Sequence, residues 1–286
     1  MKRFLLLVFL LVWSGCSTAP NKVDQGVLSP EMESSFEARM YKNLQHQYGL
    51  LESKTKLKTD FLKIEKFIQN LVNTLAVSAS APSSSTIKVK IIDSRRLIHG
   101  AGLNGSIYLS TGLLKAIKFE NELAFVLATQ IALLEARHPQ ISFETIQGRA
   151  LAESKVYLPM GLSADAGTSE ALPTVDGKWF EKGGFFDFGN AAYYQADRSA
   201  IQRLVEHRYD PRGGISYLSR LSESNRNFAR ERVGQILPPL SERIDELRNE
   251  VAKQSPLRNP IVKRAGFELF LRIVNQTDAT GKNKNS

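Results

Sequence analysis

Two adjacent polar residues, Thr129 and Gln130, interrupt an otherwise apolar stretch near the middle of the chain. The stretch runs from Asn121 to His138, and its apolar residues recur at offsets of three and four, which is the period of a helix. The apolar arc is wider than a single surface stripe, so we expect this helix to be largely buried. A buried polar pair needs hydrogen-bond partners. The helix is therefore the first place to look for a functional site, or for the remains of one.

The other reactive side chains form no complete set for catalysis or metal binding. The chain has four histidines, and no two of them are spaced four residues apart, as a pair of zinc ligands on one helix face would be. We expect each to be a surface or capping residue; they are His46, His99, His138 and His207. No serine stands in a nucleophile motif, and the glycine pair at Gly100 and Gly102 indicates a turn between strands rather than a nucleotide loop.

The first sixteen residues are typical of an export signal. Two cations precede an unbroken apolar run from Phe4 to Trp13, which is too short to span a membrane because a spanning helix needs roughly 20 residues. Two small residues then precede Cys16, the single cysteine of the chain. This arrangement resembles a bacterial lipoprotein processing site, and it predicts acylation of Cys16. Ordinary signal cleavage and an uncleaved anchor are the alternatives.

The predicted anchor places the chain in the cell envelope. Many Gram-negative lipoproteins are retained at the inner membrane by an Asp after the cysteine, whereas Ser17 stands there in this chain. The outer membrane, with the body of the protein facing the periplasm, is therefore favoured. The formal net charge is +9, but the cations are interspersed with acids, which indicates a solvated surface rather than nucleic-acid binding. Weak attraction to anionic lipid headgroups is also compatible with this charge.

The patterns along the chain predict a mostly helical α+β domain with one small sheet. Alternating apolar residues predict strands at Ile87–Ile92 and Ser106–Ser110, with a glycine-rich turn between them. Helical periodicity predicts helices over 30–49, 57–77, 113–118, 121–138, 141–158, 191–207, 212–222, 240–252 and 261–274. Residues 159–190 are rich in Gly, Pro, Asp and Phe, and they are expected to form a long irregular excursion of the kind that often serves as a lid.

Three segments in a fixed order resemble the HtpX and CAAX-prenyl-protease family of zinc metallopeptidases. They are GSIYLSTGLLKAIKFENELAFVLATQIALLEARH, YYQADRSAIQRLVEHRYDPRGGISYLSRL and PPLSERIDEL. The resemblance implies a zincin-like metallopeptidase fold, α+β and mostly helical, in which a small β-sheet packs on the active-site helix. We therefore divide the chain into a lipoprotein signal peptide with its acylated cysteine (1–16), a tether (17–30), a peptidase-like domain (31–275) and a disordered tail (276–286).

The family's zinc motif is changed at every ligand position. In the family, the two histidines of H-E-x-x-H bind zinc, the glutamate beside the first is the general base, and a glutamate on a later helix is the third ligand. Thr129 aligns with the first histidine, Gln130 with the base and Leu133 with the second histidine. Tyr193 aligns with the third ligand, and Leu237 aligns with a later histidine on the oxyanion side. The supporting Asp197 is retained, as is Arg243, which we expect to be structural. Because leucine has no donor atom and glutamine cannot accept a proton at neutral pH, we expect neither metal nor cofactor.

In the absence of a metal, the side chains at the aligned positions are expected to contact one another as neutral groups. We expect Thr129, Gln130 and Tyr193 to hydrogen-bond one another, since neutral groups are cheaper to bury than a lone carboxylate. The Tyr193 ring is also expected to fill space left by the metal, and Asp197 is expected to pair with a nearby Arg or Lys.

The sequence therefore predicts a pseudopeptidase that binds rather than cuts. In the family, the strand matching Asn104–Ser110 lies at the sheet edge and pairs with extended substrate. The predicted peptide-binding residues are accordingly Asn104, Gly105, Ser106, Ile107, Tyr108 and Leu109; an edge strand without a ligand is the alternative. The predicted role is a peptide-binding, chaperone-like or scaffolding lipoprotein in outer-membrane assembly or quality control, with unfolded or outer-membrane proteins as partners. The second candidate function is an active zinc metalloendopeptidase with non-standard ligands.

Overall fold

The architecture comes from a computed structural model that describes residues 30–48, 58–77, 87–95, 97–153, 188–223 and 239–276. These residues form a mostly helical fold with one small sheet, which confirms the predicted fold class. The strands are β1 (Lys88–Ile92), β2 (His99–Ala101) and β3 (Ser106–Ser110), and the helices are α1 (Pro30–Tyr48), α2 (Lys58–Ala76), α3 (Thr111–Ala116), α4 (Glu120–Glu135), α5 (His138–Glu153), α6 (Gly189–Glu206), α7 (Gly213–Glu223), α8 (Leu240–Ala252) and α9 (Ala265–Gln276).

Several predicted features lie outside the described residues. They are the signal peptide with Cys16, the tether up to residue 29, most of the excursion (154–187), Leu237 and the tail beyond residue 276. Within the described ranges, no helix is both long enough and apolar enough to cross a bilayer.

Helix α4 forms the centre of the domain because nearly its whole surface is apolar. Every residue from Glu120 to Leu133 is buried, and α2, α5, α6, α7 and the sheet pack around it. The helix ends at Glu135, earlier than predicted, since Arg137 adopts a left-handed conformation with φ 55°. Pro139 instead lies in the first turn of α5, where its missing N–H costs no hydrogen bond.

Strand β3 is the central strand of the three-stranded sheet, so the prediction that it forms an edge is wrong. β1 pairs with β3 in parallel, and β2 pairs with it antiparallel with Gly100 opposite Tyr108. The main-chain groups of β3 are therefore engaged on both sides, and all of its residues are buried. The glycine-rich stretch that was expected to be only a turn supplies the third strand, which is too short for its alternation to show in the sequence.

Helix α1 docks on the sheet through a buried carboxylate. Glu37 accepts hydrogen bonds from the main-chain N–H of Leu103, at 3.0 Å, and from the hydroxyl of Tyr108. The approach requires a glycine at 102, because a Cβ on Gly102 would lie 2.6 Å from an oxygen of Glu37. Burial raises the pKa of Glu37 above its ordinary value, and the hydrogen bonds offset only part of that shift.

Glu37→Gln is expected to remove a pH-dependent cost of folding. An acid whose pKa is raised by folding binds its proton more tightly in the folded state, so its contribution to stability falls as the pH rises from the ordinary value of 4.5 through the raised pKa. The free energy of unfolding of the wild type should therefore fall, relative to that of Glu37→Gln, as the pH rises above the ordinary value of 4.5. Urea denaturation at each pH measures this difference. Glu246→Gln, which changes an exposed acid on α8, is the control; a pH-independent difference for Glu37→Gln would contradict the prediction.

The segment before α9 is held against the loop between α6 and α7. The N–H of Ile261 donates to the carbonyl of Arg208 at 2.7 Å, and the carbonyl of Ile261 accepts from the N–H of Asp210 at 2.9 Å. These strand-like bonds explain why α9 begins at Ala265 rather than at the predicted residue 261. The N–H of Asn121 donates to the carbonyl of Val262 at 3.1 Å, so the same segment also contacts the start of α4.

Candidate functional site

Helices α4 and α6 bring most of the predicted site residues together. Thr129, Gln130 and Leu133 lie on α4, Tyr193 and Asp197 lie on α6, and none of the five is more than 2% exposed. The two helices can approach closely because small buried residues recur every four positions on α6; they are Ala192, Ala196 and Ala200. The fifth aligned position, Leu237, lies outside the described residues.

Asp197 forms a buried ion pair with Arg243 of α8, as expected for this carboxylate. Nε of Arg243 donates to Oδ2 at 2.8 Å, and Nη2 donates to Oδ1 at 2.8 Å. The hydroxyl of Thr129 is also shared between Oδ1 of Asp197, at 3.3 Å, and the carbonyl of Phe125, at 3.1 Å. Burial opposes the charge on Arg243, but the Asp197 carboxylate beside it raises its pKa above the ordinary value. Both carboxylate oxygens are therefore engaged within the protein.

Gln130 is directed away from α6 and towards the sheet. It follows Thr129 by one residue, which is a rotation of about 100° around the helix. Its Nε2 atom lies 3.1 Å from Nδ1 of His99 in β2, and because an amide nitrogen only donates, Nδ1 of His99 accepts this bond. The predicted hydrogen bond between Thr129 and Gln130 is therefore wrong. The helix directs Thr129 towards α6 and Gln130 towards β2.

His99 is the residue of this site that sequence reasoning missed. It was expected to be a surface or capping residue, but it is half-buried on β2 and contacts the amide of Gln130. No motif surrounds it, and the pairing of β2 with β3 is what turns it towards α4. Oε1 of Gln130 is buried and has no hydrogen-bond partner among the described residues, so the acceptor of this amide, which the resemblance aligns with the general base, is unpaired there.

Apolar side chains fill the space between α4, α6 and β2. Leu133 and Tyr193 form one buried cluster with alanines at 101, 132, 192 and 196. The ring of Phe188 lies 5.8 Å from the ring of Tyr193, measured between centroids, and the guanidinium of Arg243 lies 5.6 Å from the same ring. The Tyr193 ring is thus buried in this cluster with a cation over its face; that it fills space left by a metal stays a prediction.

This arrangement does not fit zinc. Protein zinc sites use Cys, His or carboxylate ligands, and within the described ranges no three His, Cys, Asp or Glu residues are grouped so that they could hold a metal ion. Leu133 has no donor atom, and Asp197 already accepts two hydrogen bonds from Arg243. Gln130, which the resemblance aligns with the general base, has an amide that does not accept a proton at neutral pH. Among the described residues, those at the aligned positions therefore do not form the zinc site that the family resemblance implies.

The strand that borders this centre is β2 rather than β3. Of the predicted peptide-binding residues, Asn104 is exposed and donates to Oγ of Ser34 at 3.1 Å, whereas Ser106 to Leu109 are buried within the central strand. In the part of the chain that the structure describes, β2 has β3 on one side only. Its neighbours Ile98 and Gly102 form the main-chain bonds to β3, at 2.9 and 2.8 Å, so the alternation of an antiparallel ladder turns the main-chain groups of Ala101 away from β3.

Two comparisons with known proteins are consistent with this architecture. The model of the family described as "Peptidase family M48" matches residues 63–251, which includes every site residue discussed above. A relative is the beta-barrel assembly-enhancing protease of Yersinia pestis, at 24% identity over 199 residues. The match covers 68% of this chain and 40% of the relative, so the chain spans well under two thirds of the length of that relative.

Proposed function

Because the chain belongs to peptidase family M48, we propose that it is a non-catalytic member that binds protein segments in the bacterial cell envelope. The observation that carries the proposal is the filled centre. Leu133 and Tyr193 pack at positions where the family holds zinc ligands, and Arg243 engages both oxygens of Asp197. A metallopeptidase needs an open coordination position for its water, whereas this centre consists of packed apolar side chains and a closed ion pair.

The proposed ligand is an extended segment of an unfolded protein. β2 is the outer strand of the described sheet on the side of α4, and the main-chain groups of Ala101 point away from β3. Ala101 is only 1% exposed, so strand addition requires the side chains packed over it to move. An added strand would bind mainly through its own main-chain groups, so recognition would depend little on its sequence. This property suits a chaperone-like or scaffolding factor, which has to hold many different segments without cutting them.

The proposed setting is the assembly or quality control of outer-membrane proteins. The relative's name, beta-barrel assembly-enhancing protease, supports a role beside β-barrel assembly, and the predicted acylation of Cys16 supports a lipid-anchored protein at the outer membrane, facing the periplasm. Unfolded or outer-membrane β-barrel proteins are the partners that we propose.

The purified full-length protein is expected to bind an unfolded β-barrel protein without cleaving it and without holding zinc. Both expectations have the same cause, since a centre with no ligand set cannot retain the metal that would activate water. Elemental analysis after incubation with zinc and desalting measures the metal content. Gel analysis with and without a chelator measures cleavage, and a photo-crosslinker at Ile98, beside β2, measures binding.

A metallopeptidase with an intact H-E-x-x-H motif is the positive control for cleavage, and a crosslinker at Asn249, exposed on α8, is the control for position. Stoichiometric zinc together with chelator-sensitive cleavage would overturn the proposal and would establish the alternative, an active zinc metalloendopeptidase with non-standard ligands. Equal crosslinking from both positions would overturn the assignment of binding to β2.

A further inference from the structure

We propose that the end of the domain at the start of α4 is a docking face for the anionic phospholipid headgroups of a bilayer. Three chain segments meet there: residues 118–121 before and at the start of α4, residues 208–212 between α6 and α7, and residues 258–264 before α9. We call this surface the basic face. It goes beyond the proposed function, because Glu120 lies about 13 Å along α4 from Thr129, at 1.5 Å per residue.

The basic face is held together by main-chain hydrogen bonds. Asn121 donates to the carbonyl of Val262 at 3.1 Å, and Ile261 donates to the carbonyl of Arg208 at 2.7 Å. A side-chain bond adds to these, since Nη2 of Arg208 donates to the carbonyl of Arg258 at 2.9 Å. The three segments are thus fixed relative to one another, and little ordering of the backbone is needed when a ligand binds.

The exposed charges of the basic face are all positive. Its three segments carry six exposed cations, which are Lys118, Arg208, Arg212, Arg258, Lys263 and Arg264. The acids in the same segments are Glu120 and Asp210, whose side chains are 0% and 7% exposed. These two acids pair with Arg264 and Arg212, and an exposed acid on α9, Glu268, pairs with Lys263.

Half of these cations have no acid opposite them. Lys118, Arg208 and Arg258 have no carboxylate at ion-pair distance in the part of the chain that the structure describes. Such cations attract anionic headgroups, at roughly a fivefold gain in affinity for each one near the surface. The charge of the basic face is therefore complementary to an anionic bilayer.

Two exposed apolar side chains lie among the cations. Phe119 is 39% exposed and Val262 is 36% exposed, and their segments are joined by the bond from Asn121 to Val262. A mixture of cations with exposed aromatic and aliphatic groups is typical of surfaces that rest in the headgroup region of a membrane. An acidic protein would match the cations, but the exposed Phe119 and Val262 favour the bilayer.

The predicted anchor allows this contact. If Cys16 is acylated, the residues between it and Pro30 can extend to about 45 Å, at 3.3–3.6 Å per residue. This reach exceeds the length of α4, which is about 24 Å. Because Glu33 of α1 pairs with Arg137 just after the end of α4, the tether begins near the other end of α4, and its reach is long enough for the end that carries Phe119 to turn towards the membrane.

Hydrogen exchange on the full-length protein tests the proposal. The protein is placed on vesicles of phosphatidylcholine alone and on vesicles that also contain phosphatidylglycerol, and exchange is followed in peptides that cover 117–121 and 258–264. We expect exchange in both peptides to slow on the anionic vesicles only, and the slowing to disappear in high salt because screening weakens headgroup attraction. The measurement in high salt uses the wild-type protein, so its result does not depend on how any variant folds.

A matched pair of variants distinguishes an effect of the basic face from a general effect of the protein's net charge. Lys118→Gln/Arg208→Gln/Arg258→Gln should lose the slowing, whereas Arg39→Gln/Lys88→Gln/Arg248→Gln, which neutralises three exposed cations on α1, β1 and α8, should keep it. Slowing on neutral vesicles to the same degree, or equal loss in both variants, would overturn the proposal. Absence of slowing on anionic vesicles would also overturn it and would direct the search to an acidic protein partner.

Discussion

Asp197→Leu is expected to lower the free energy of unfolding by about 3–5 kcal/mol, which is the usual cost of removing one partner of a buried ion pair. The substitution leaves the guanidinium of Arg243, whose side chain is 3% exposed, buried without its counter-ion. It also removes one acceptor of the Thr129 hydroxyl. Chemical denaturation at neutral pH measures the change.

Two further variants test whether the loss of stability comes from leaving a buried charge without its partner. Asp197→Leu/Arg243→Met should recover much of the loss, since replacing both charges by apolar groups is often neutral or stabilising. Asp245→Leu breaks the Asp245–Arg248 pair on the exposed side of α8, where the side chains are 69% and 61% exposed, and should change the free energy of unfolding by less than about 1 kcal/mol. An Asp197→Leu variant as stable as Asp245→Leu would show that the buried pair does not hold α6 to α8.

Restoring the family's ligands is expected to produce zinc binding, which we propose that the wild type lacks. The variant Thr129→His/Gln130→Glu/Leu133→His/Tyr193→Glu puts two imidazoles one turn apart on α4 and a carboxylate on the facing helix, with Asp197 still in place. Elemental analysis should find one zinc per variant chain. Without metal the variant should be less stable than the wild type, because its new polar groups replace side chains that are at most 2% exposed. Zinc at about a hundredfold its dissociation constant should then restore about 2.7 kcal/mol.

A variant that keeps Tyr193 is the matched control for this rebuilding. Thr129→His/Gln130→Glu/Leu133→His lacks the third ligand, so it should bind zinc much more weakly than the four-residue variant. Equal zinc affinity in the two variants would show that Tyr193 does not occupy the third ligand position. Failure of the four-residue variant to gain any stability from zinc would show that α4 and α6 are not placed as a metallopeptidase centre requires.

The periodicity of the sequence was sufficient to predict the helix that organises the fold. The offsets of three and four from Leu123 to Leu134 describe α4, and the wide apolar arc correctly indicated its burial. The residue types at the aligned positions carry a prediction that stays open to test, because a leucine at 133 has no donor atom for a metal and a glutamine at 130 cannot act as a base. The need of a buried carboxylate for a counter-ion also predicted the pairing of Asp197.

The arrangement of the sheet depended on contacts that local pattern does not contain. β2 has only three residues, so no alternation marks it, and yet its pairing moves β3 from the edge to the centre. As a result, the proposed site of peptide binding moves from Asn104–Leu109 to the outer side of β2.

By itself, the sequence determined that this protein has a buried central helix, and it led to the prediction that the aligned positions do not bind zinc. Only the tertiary structure decided which groups those side chains meet. Arg243 is 46 residues from Asp197, and Gln130 is 31 residues from His99, so neither pair follows from the period of a single helix or strand. The physical reason is that periodicity reports which face of an element is buried, whereas the partner on that face is set by how distant elements pack together.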